Sequence, residues 1–190
     1  MYCRSVLCPN LVGLILLVFA GMRAPATAQS VPPKLNLKAD LVLTTAFCSA
    51  EIKRGNGWTT AKERFPVGEK LCPLLETELP SLFASMKKSD KVPAQNTTDA
   101  DVILVPKIGD IGATMGRKQE LVVVLEWTAL DRAGRPLWVQ TIEGTAHEKA
   151  GNGFSHGKHI RLLNDAAVRD ALAKSEEAIR SAPGLLKLAQ

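Results

Sequence analysis

The chain has 190 residues, 46% of them hydrophobic, with 24 Lys and Arg against 19 Asp and Glu and a formal net charge of +5. That length excludes two large domains and leaves room for one domain with a real core. The basic residues are scattered among acids, with no basic stripe interleaved with aromatics, which excludes a dedicated nucleic-acid binder.

Residues 1–28 read as a cleavable secretory signal peptide. Arg4 supplies a positive start, Leu11 to Ala20 supply an uncharged apolar run, and Ala26-Thr27-Ala28 supply a small-x-small cleavage site ahead of Gln29. The apolar run is about half the roughly 20 residues that a spanning helix needs, and Arg23 and Pro25 stop it. Cys8 precedes that run, so it cannot become the acylated first residue of a mature lipoprotein. The expected product is therefore periplasmic or secreted, with no stable membrane anchor after cleavage. Loss of Arg4 and Arg23 lowers the formal charge from +5 to +3.

Cys3 and Cys8 leave with the signal, while Cys48 and Cys72 remain. An even pair in an oxidising compartment is most simply a disulfide, and closing its loop would stabilise the fold by roughly 3 kcal/mol. A redox pair or a metal site would call for Cys-x-x-Cys spacing, which the chain lacks.

Residues 29–38 read as a flexible leader. Ala39 to Phe47, rich in β-branched and apolar residues, predicts a first strand, and Lys53 to Trp58 a turn from which Trp58-Thr59-Thr60 begins a returning strand. From Gly68 the period changes. Leu71, Leu74, Leu75, Leu79, Leu82, Phe83 and Met86 recur at three and four, the signature of a helix face. Pro80 predicts a bend near Thr77 to Pro80, Lys87-Lys88 suit a last helical turn, and Asp90 to Thr98 is a polar loop.

Three strands are predicted next, over Asp101 to Ile108, Glu120 to Leu130 and Leu137 to Ala146. Asp131 to Pro136 makes the last two a hairpin. Along the last strand Leu137, Val139, Thr141 and Glu143 alternate against Trp138, Gln140 and Ile142, which predicts one covered and one partly open face. Lys149 to His159 reads as a glycine-rich loop. Asn164 or Asp165 then caps a second helix running to about Arg180, and Pro183-Gly184 ends it. The order β-α-β-β-β-α predicts an α+β domain over 39–182: a mostly antiparallel sheet of about four strands with two helices packed on one face. Residues 183–190 are left as a C-terminal tail.

Several of these residues carry a family likeness. Phe65-Pro66-Val67-Gly68 leads into the leucine helix, and Ala100-Asp101-Val102-Ile103-Leu104 opens a strand. Val123, Leu125 and Trp127, then Asp131, Gly134, Leu137 and Trp138, precede the final helix. This layout resembles small bacterial envelope proteins of the YajG, CsgG and LpoB kind. The resemblance implies a non-enzymatic accessory or scaffolding protein. Such proteins are usually lipid-anchored, and the missing lipidation motif is a departure here.

Catalytic patterns are sparse. All three histidines, His147, His156 and His159, lie within thirteen positions beside Glu148, and neutral imidazoles on a loop can hold zinc, copper or nickel. Glycine-rich surface loops also carry histidines without any such role. Ser155 adjoins His156, but there is no nucleophile elbow. Gly109 to Gly116 is glycine-rich yet lacks the Lys-Ser/Thr ending of a phosphate loop. The chain is accordingly expected to be no enzyme and to need no cofactor. Its partner is expected to be an envelope protein, met through Trp138, Gln140 and Ile142 if that face is open.

Overall fold

A computed structural model describes residues 33–55, 62–109, 112–114, 118–149 and 156–190. The segment predicted as a signal peptide, Trp58 with its predicted turn, and most of the glycine-rich segments after Ile108 and Lys149 lie outside the described residues.

The first strand, β1 (Leu35–Val42), starts four residues earlier than predicted. It ends where Thr44 takes over as a helix cap, its Oγ1 accepting from the Phe47 N–H at 3.1 Å, so that Thr45–Cys48 forms a one-turn helix, α1. A hairpin of β2 (Ile52–Gly55) and β3 (Lys62–Phe65) follows as a separate two-stranded antiparallel sheet. Then comes α2 (Val67–Glu78), which buries Val67, Leu71 and Leu75. Its start lies tight on α1: a Cβ on Gly68 would stand 2.0 Å from the Phe47 carbonyl oxygen.

The predicted first helix is corrected beyond Glu78. Pro80 sits in a single 3-10 turn, Leu79–Leu82, and the chain then runs as strand β4 (Phe83–Ser89), parallel to β1. The helical spacing of Phe83 and Met86 misled because the strand buries Phe83 fully and Met86 partly, leaving Ala84, Ser85, Lys87 and Lys88 exposed on an edge. Lysines on an edge strand discourage pairing with foreign strands.

The remaining strands are β5 (Val102–Ile108), β6 (Gly112–Thr114), β7 (Lys118–Leu130) and β8 (Pro136–Lys149). The main sheet therefore has six strands and is mixed. The order is β4-β1-β5-β7-β8, with β6 beside the first half of β7 and β5 beside its second half. β1 is parallel to both β4 and β5, and every pairing of β7 is antiparallel. The α+β class holds. The four antiparallel strands and two helices expected from sequence give way to six mixed strands and four helices among the described residues. Pro106 fits its strand because β1 pairs β5 only as far as Leu104, so the missing donor meets no ladder.

The second long helix, α3 (His156–Ser181), begins eight residues before the predicted cap. Asn164 and Asp165 lie inside it, Asn164 buried and Asp165 paired with Lys70 of α2 at 3.1 Å. A short helix, α4 (Pro183–Leu188), follows and buries Leu185.

One face of the sheet carries the core. Leu121, Val123, Leu125, Trp127 and Ala129 of β7 point inward with Ile142, Gly144 and Ala146 of β8. They meet Leu163, Val168, Leu172 and Ile179 of α3 and Leu71 and Leu75 of α2. The opposite face is covered near β1 by the connection 90–101. Passing from β1 through α2 to β4 and back from β4 to β5 reverses direction across the sheet. Right-handed crossovers then send the return over the face opposite α2. Arg132 in the β7–β8 turn fastens that connection, its Nε donating to the Ala100 carbonyl at 2.9 Å and its Nη2 to Asp101 Oδ1 at 2.6 Å.

Candidate functional site

β8 forms an outer edge of the main sheet, pairing along its whole length with β7 alone. Its odd-numbered residues turn their backbone groups toward the free edge, because hydrogen-bonding direction alternates along a strand. An uncovered edge is a template for another strand. At two points α3 closes it. Asp170 Oδ2 accepts from the Thr145 N–H at 2.8 Å, and Lys174 Nζ donates to the Glu143 carbonyl at 3.0 Å and to Asp170 Oδ2 at 2.7 Å.

This clasp depends on how near α3 comes. A Cβ on Gly144 would lie 2.2 Å from the Ala167 carbonyl oxygen and 2.4 Å from the Ala171 Cβ, so only glycine allows the helix to rest there. Burial pushes the Asp170 carboxyl up, but the Lys174 ammonium and the Thr145 N–H outweigh it and hold its pKa below the usual value of 3.8. The clasp is ionic at neutral pH.

Toward the hairpin turn α4 comes onto the edge at Leu137, where a Cβ on Gly184 would lie 2.3 Å from the Leu137 carbonyl oxygen, and between that point and the clasp the edge is open over Val139 to Thr141. Val139 is 65% exposed, Gln140 and Thr141 are exposed, and no side chain among the described residues caps the backbone at Val139 or Thr141. Beside them a groove of about 340 Å³ runs between β8 and the second half of α3, lined by Gln140, Thr141, Ile142, Lys174, Glu177 and Ser181. Deeper in α3, burial and the nearby charge of Glu78 raise the Glu176 carboxyl above its ordinary value, and Arg180 opposes the rise.

The residues singled out from sequence fall in three places. Cys48 and Cys72 are joined as a disulfide, Cα atoms 5.4 Å apart, tying α1 to α2. Trp138, Gln140 and Ile142 share the inward face of β8: Ile142 is buried, Trp138 is half-buried against the core, and Gln140 is exposed past the helix cover. The more open face carries Val139, Thr141 and Glu143. His147 is exposed on that face, its Nδ1 3.8 Å from Glu120 Oε1. Only the backbone of His156 and His159 is described, in the first turns of α3, so the proposed histidine set lies largely outside the described side chains. Among the described residues no group of three or more His, Cys, Asp or Glu is placed to hold a metal ion.

Sequence reasoning missed the clasp. Its only trace is the i, i+4 spacing of Asp170 and Lys174, which reads as an ordinary exposed helix pair. Asp40, in the middle of β1, was also missed, although a carboxyl within an apolar strand is itself a signal.

No protein-family model matches the chain, and no curated protein matches it. Several solved structures are similar in fold. A Xanthomonas campestris protein aligns at 8% identity over 78% of this chain and 90% of its own, with a TM-score of 0.47. A minor lipoprotein from Acinetobacter baumannii aligns at 11% identity over 78% and 94%, with a TM-score of 0.46. An uncharacterized lipoprotein B from Nitrosomonas europaea aligns at 15% identity over 80% and 89%, with a TM-score of 0.43.

Proposed function

We propose that this chain is an exported, non-enzymatic accessory protein of the bacterial cell envelope. It binds a protein partner by accepting an extended segment along the open part of the β8 edge. The observation that carries the reading is the contrast along one strand. The fold closes the edge at Glu143 and Thr145 and leaves it open at Val139 and Thr141, beside a groove.

Strand addition supplies main-chain hydrogen bonds at the edge, while side chains entering the neighbouring groove supply selectivity. Lys174, Glu177 and Glu143 beside Ile142 would favour a segment with alternating apolar and charged residues. The signal pattern at 1–28 and the likeness to the YajG, CsgG and LpoB kind support the envelope setting. No helix among the described residues is long and apolar enough to cross a membrane.

The test is Val139→Lys, which charges the open edge without touching the β7 ladder. Capture of the native partner from envelope extract should fall sharply with this variant and persist with Glu69→Lys on exposed α2. Equal capture by both variants would reject the edge as the site.

A further inference from the structure

On the other side of the sheet, a pocket of about 550 Å³ opens between the end of β4 and the connection 90–101. Its lining includes Asp40, Lys87, Ser89, Lys91, Thr97 and Thr98. A volume of this size holds a small molecule of one or two rings.

Asp40 is fully buried at the pocket floor. Its Oδ1 accepts from Ser89 Oγ at 2.5 Å, and its Oδ2 has no hydrogen-bond donor. A buried acceptor left without a donor costs roughly 1–3 kcal/mol, so the site favours whatever brings one. Lys87 Nζ lies 3.7 Å from Oδ2, too far for a hydrogen bond, and is held by Asp99 at 3.2 Å. That ammonium would repel a second cation. The donor that suits Oδ2 is therefore a neutral hydroxyl, and to reach it a ligand must displace the long, half-exposed Lys87 side chain.

The walls add two complementary groups. Thr98 Oγ1 accepts from the Ala100 N–H and keeps its own O–H to donate, while Thr97 Oγ1 donates to the Ala94 carbonyl and keeps lone pairs to accept. Lys88 is engaged by Glu76. Lys91 has no ion-pair partner among the described residues, which leaves one ammonium at the rim for an anion.

We propose that this pocket binds a small acidic saccharide, with a ring hydroxyl donating to Asp40 Oδ2, neighbouring hydroxyls meeting Thr97 and Thr98, and the sugar carboxylate paired with Lys91. The site is separate from the β8 edge and stands whether or not a partner docks there.

The experiment is a titration of the isotope-labelled protein, followed through its backbone amide signals, with glucuronate, glucose and inorganic phosphate as probes. Glucuronate should give saturable shifts concentrated at Ser89 to Thr98. Glucose should shift the same amides about tenfold more weakly, the loss expected for one charge-assisted hydrogen bond. Lys91→Ala, an exposed substitution, should bring glucuronate down to the level of glucose, and Asp40→Ala should weaken both sugars. Three results would overturn the proposal: no saturable shift with glucuronate, shifts that Lys91→Ala leaves unchanged, or phosphate binding as well as glucuronate, which would mark a simple anion site.

Discussion

The indole Nε1 of Trp127 donates to Ser175 Oγ at 2.9 Å, and both residues are completely buried. Ser175 in turn donates to the Ala171 carbonyl one turn earlier at 2.7 Å. A strand of the sheet and the longest helix are thus linked by a polar contact inside an otherwise apolar core. The contact fixes the position of α3 along β7, because sliding the helix would leave the indole donor unpaired.

Ser175→Ala should therefore destabilise the fold by about 1–3 kcal/mol, the cost of a buried donor left without an acceptor. Trp127→Phe removes the donor itself and leaves Ser175 bonded to Ala171, so the pair together should cost less than the two single losses added. Urea unfolding of the two single variants and the double variant would measure this coupling.

Gly144 should tolerate no side chain. With a Cβ 2.2 Å from the Ala167 oxygen, Gly144→Ala must push α3 off β8, and overpacking of this kind costs roughly 1–3 kcal/mol or more. Gly112→Ala is the control, since its Cβ would meet nothing nearer than 3.7 Å. Thermal unfolding should show a large drop for the first and little change for the second.

The Cys48–Cys72 disulfide closes a separation of 24 residues. Its removal by Cys48→Ser with Cys72→Ser should cost about 2–4 kcal/mol. Thiol titration of the unfolded, unreduced protein should find neither cysteine free, and two reactive thiols would contradict the bond.

The clasp on β8 should respond to acid. The folded pKa of Asp170 is depressed, so its contribution is present above the ordinary value of 3.8 and is lost as pH falls through the lower folded value. Asp170→Asn should flatten that part of the acid unfolding curve. Asp170→Ala with Lys174→Ala should free the Thr145 N–H and the Glu143 carbonyl, and sedimentation should then show concentration-dependent association beyond that of the unaltered protein.

Much of the second half of the fold is legible because its signals are local. The turn residues Asp131 to Pro136 announce the β7–β8 hairpin, and the alternation along the last strand announces that one of its faces is covered. The first half misleads where tertiary context decides. Phe83 and Met86 continue the leucine spacing of α2, yet the gap left beside β1 draws them into a parallel strand, and parallel pairing leaves no turn signature in sequence. The start of α3 was obscured by Gly157 and the flanking histidines, which resemble a loop. At the candidate site, alternation separates the two faces of β8 but does not say which is covered: Ile142 is buried and Trp138 half-buried on the inward face, where an open partner face is expected from sequence. Asp170 and Lys174 were not visible, because their role depends on an edge 25 and 31 residues away in sequence.

The open edge of β8 is tested most directly by placing a photoreactive side chain at Thr141 and, separately, at Glu69, and irradiating cells that produce each protein. The account predicts one discrete cross-linked envelope protein from Thr141, lost when Val139→Lys is added, and none from Glu69. No adduct at Thr141, or an adduct that Val139→Lys leaves intact, would contradict it.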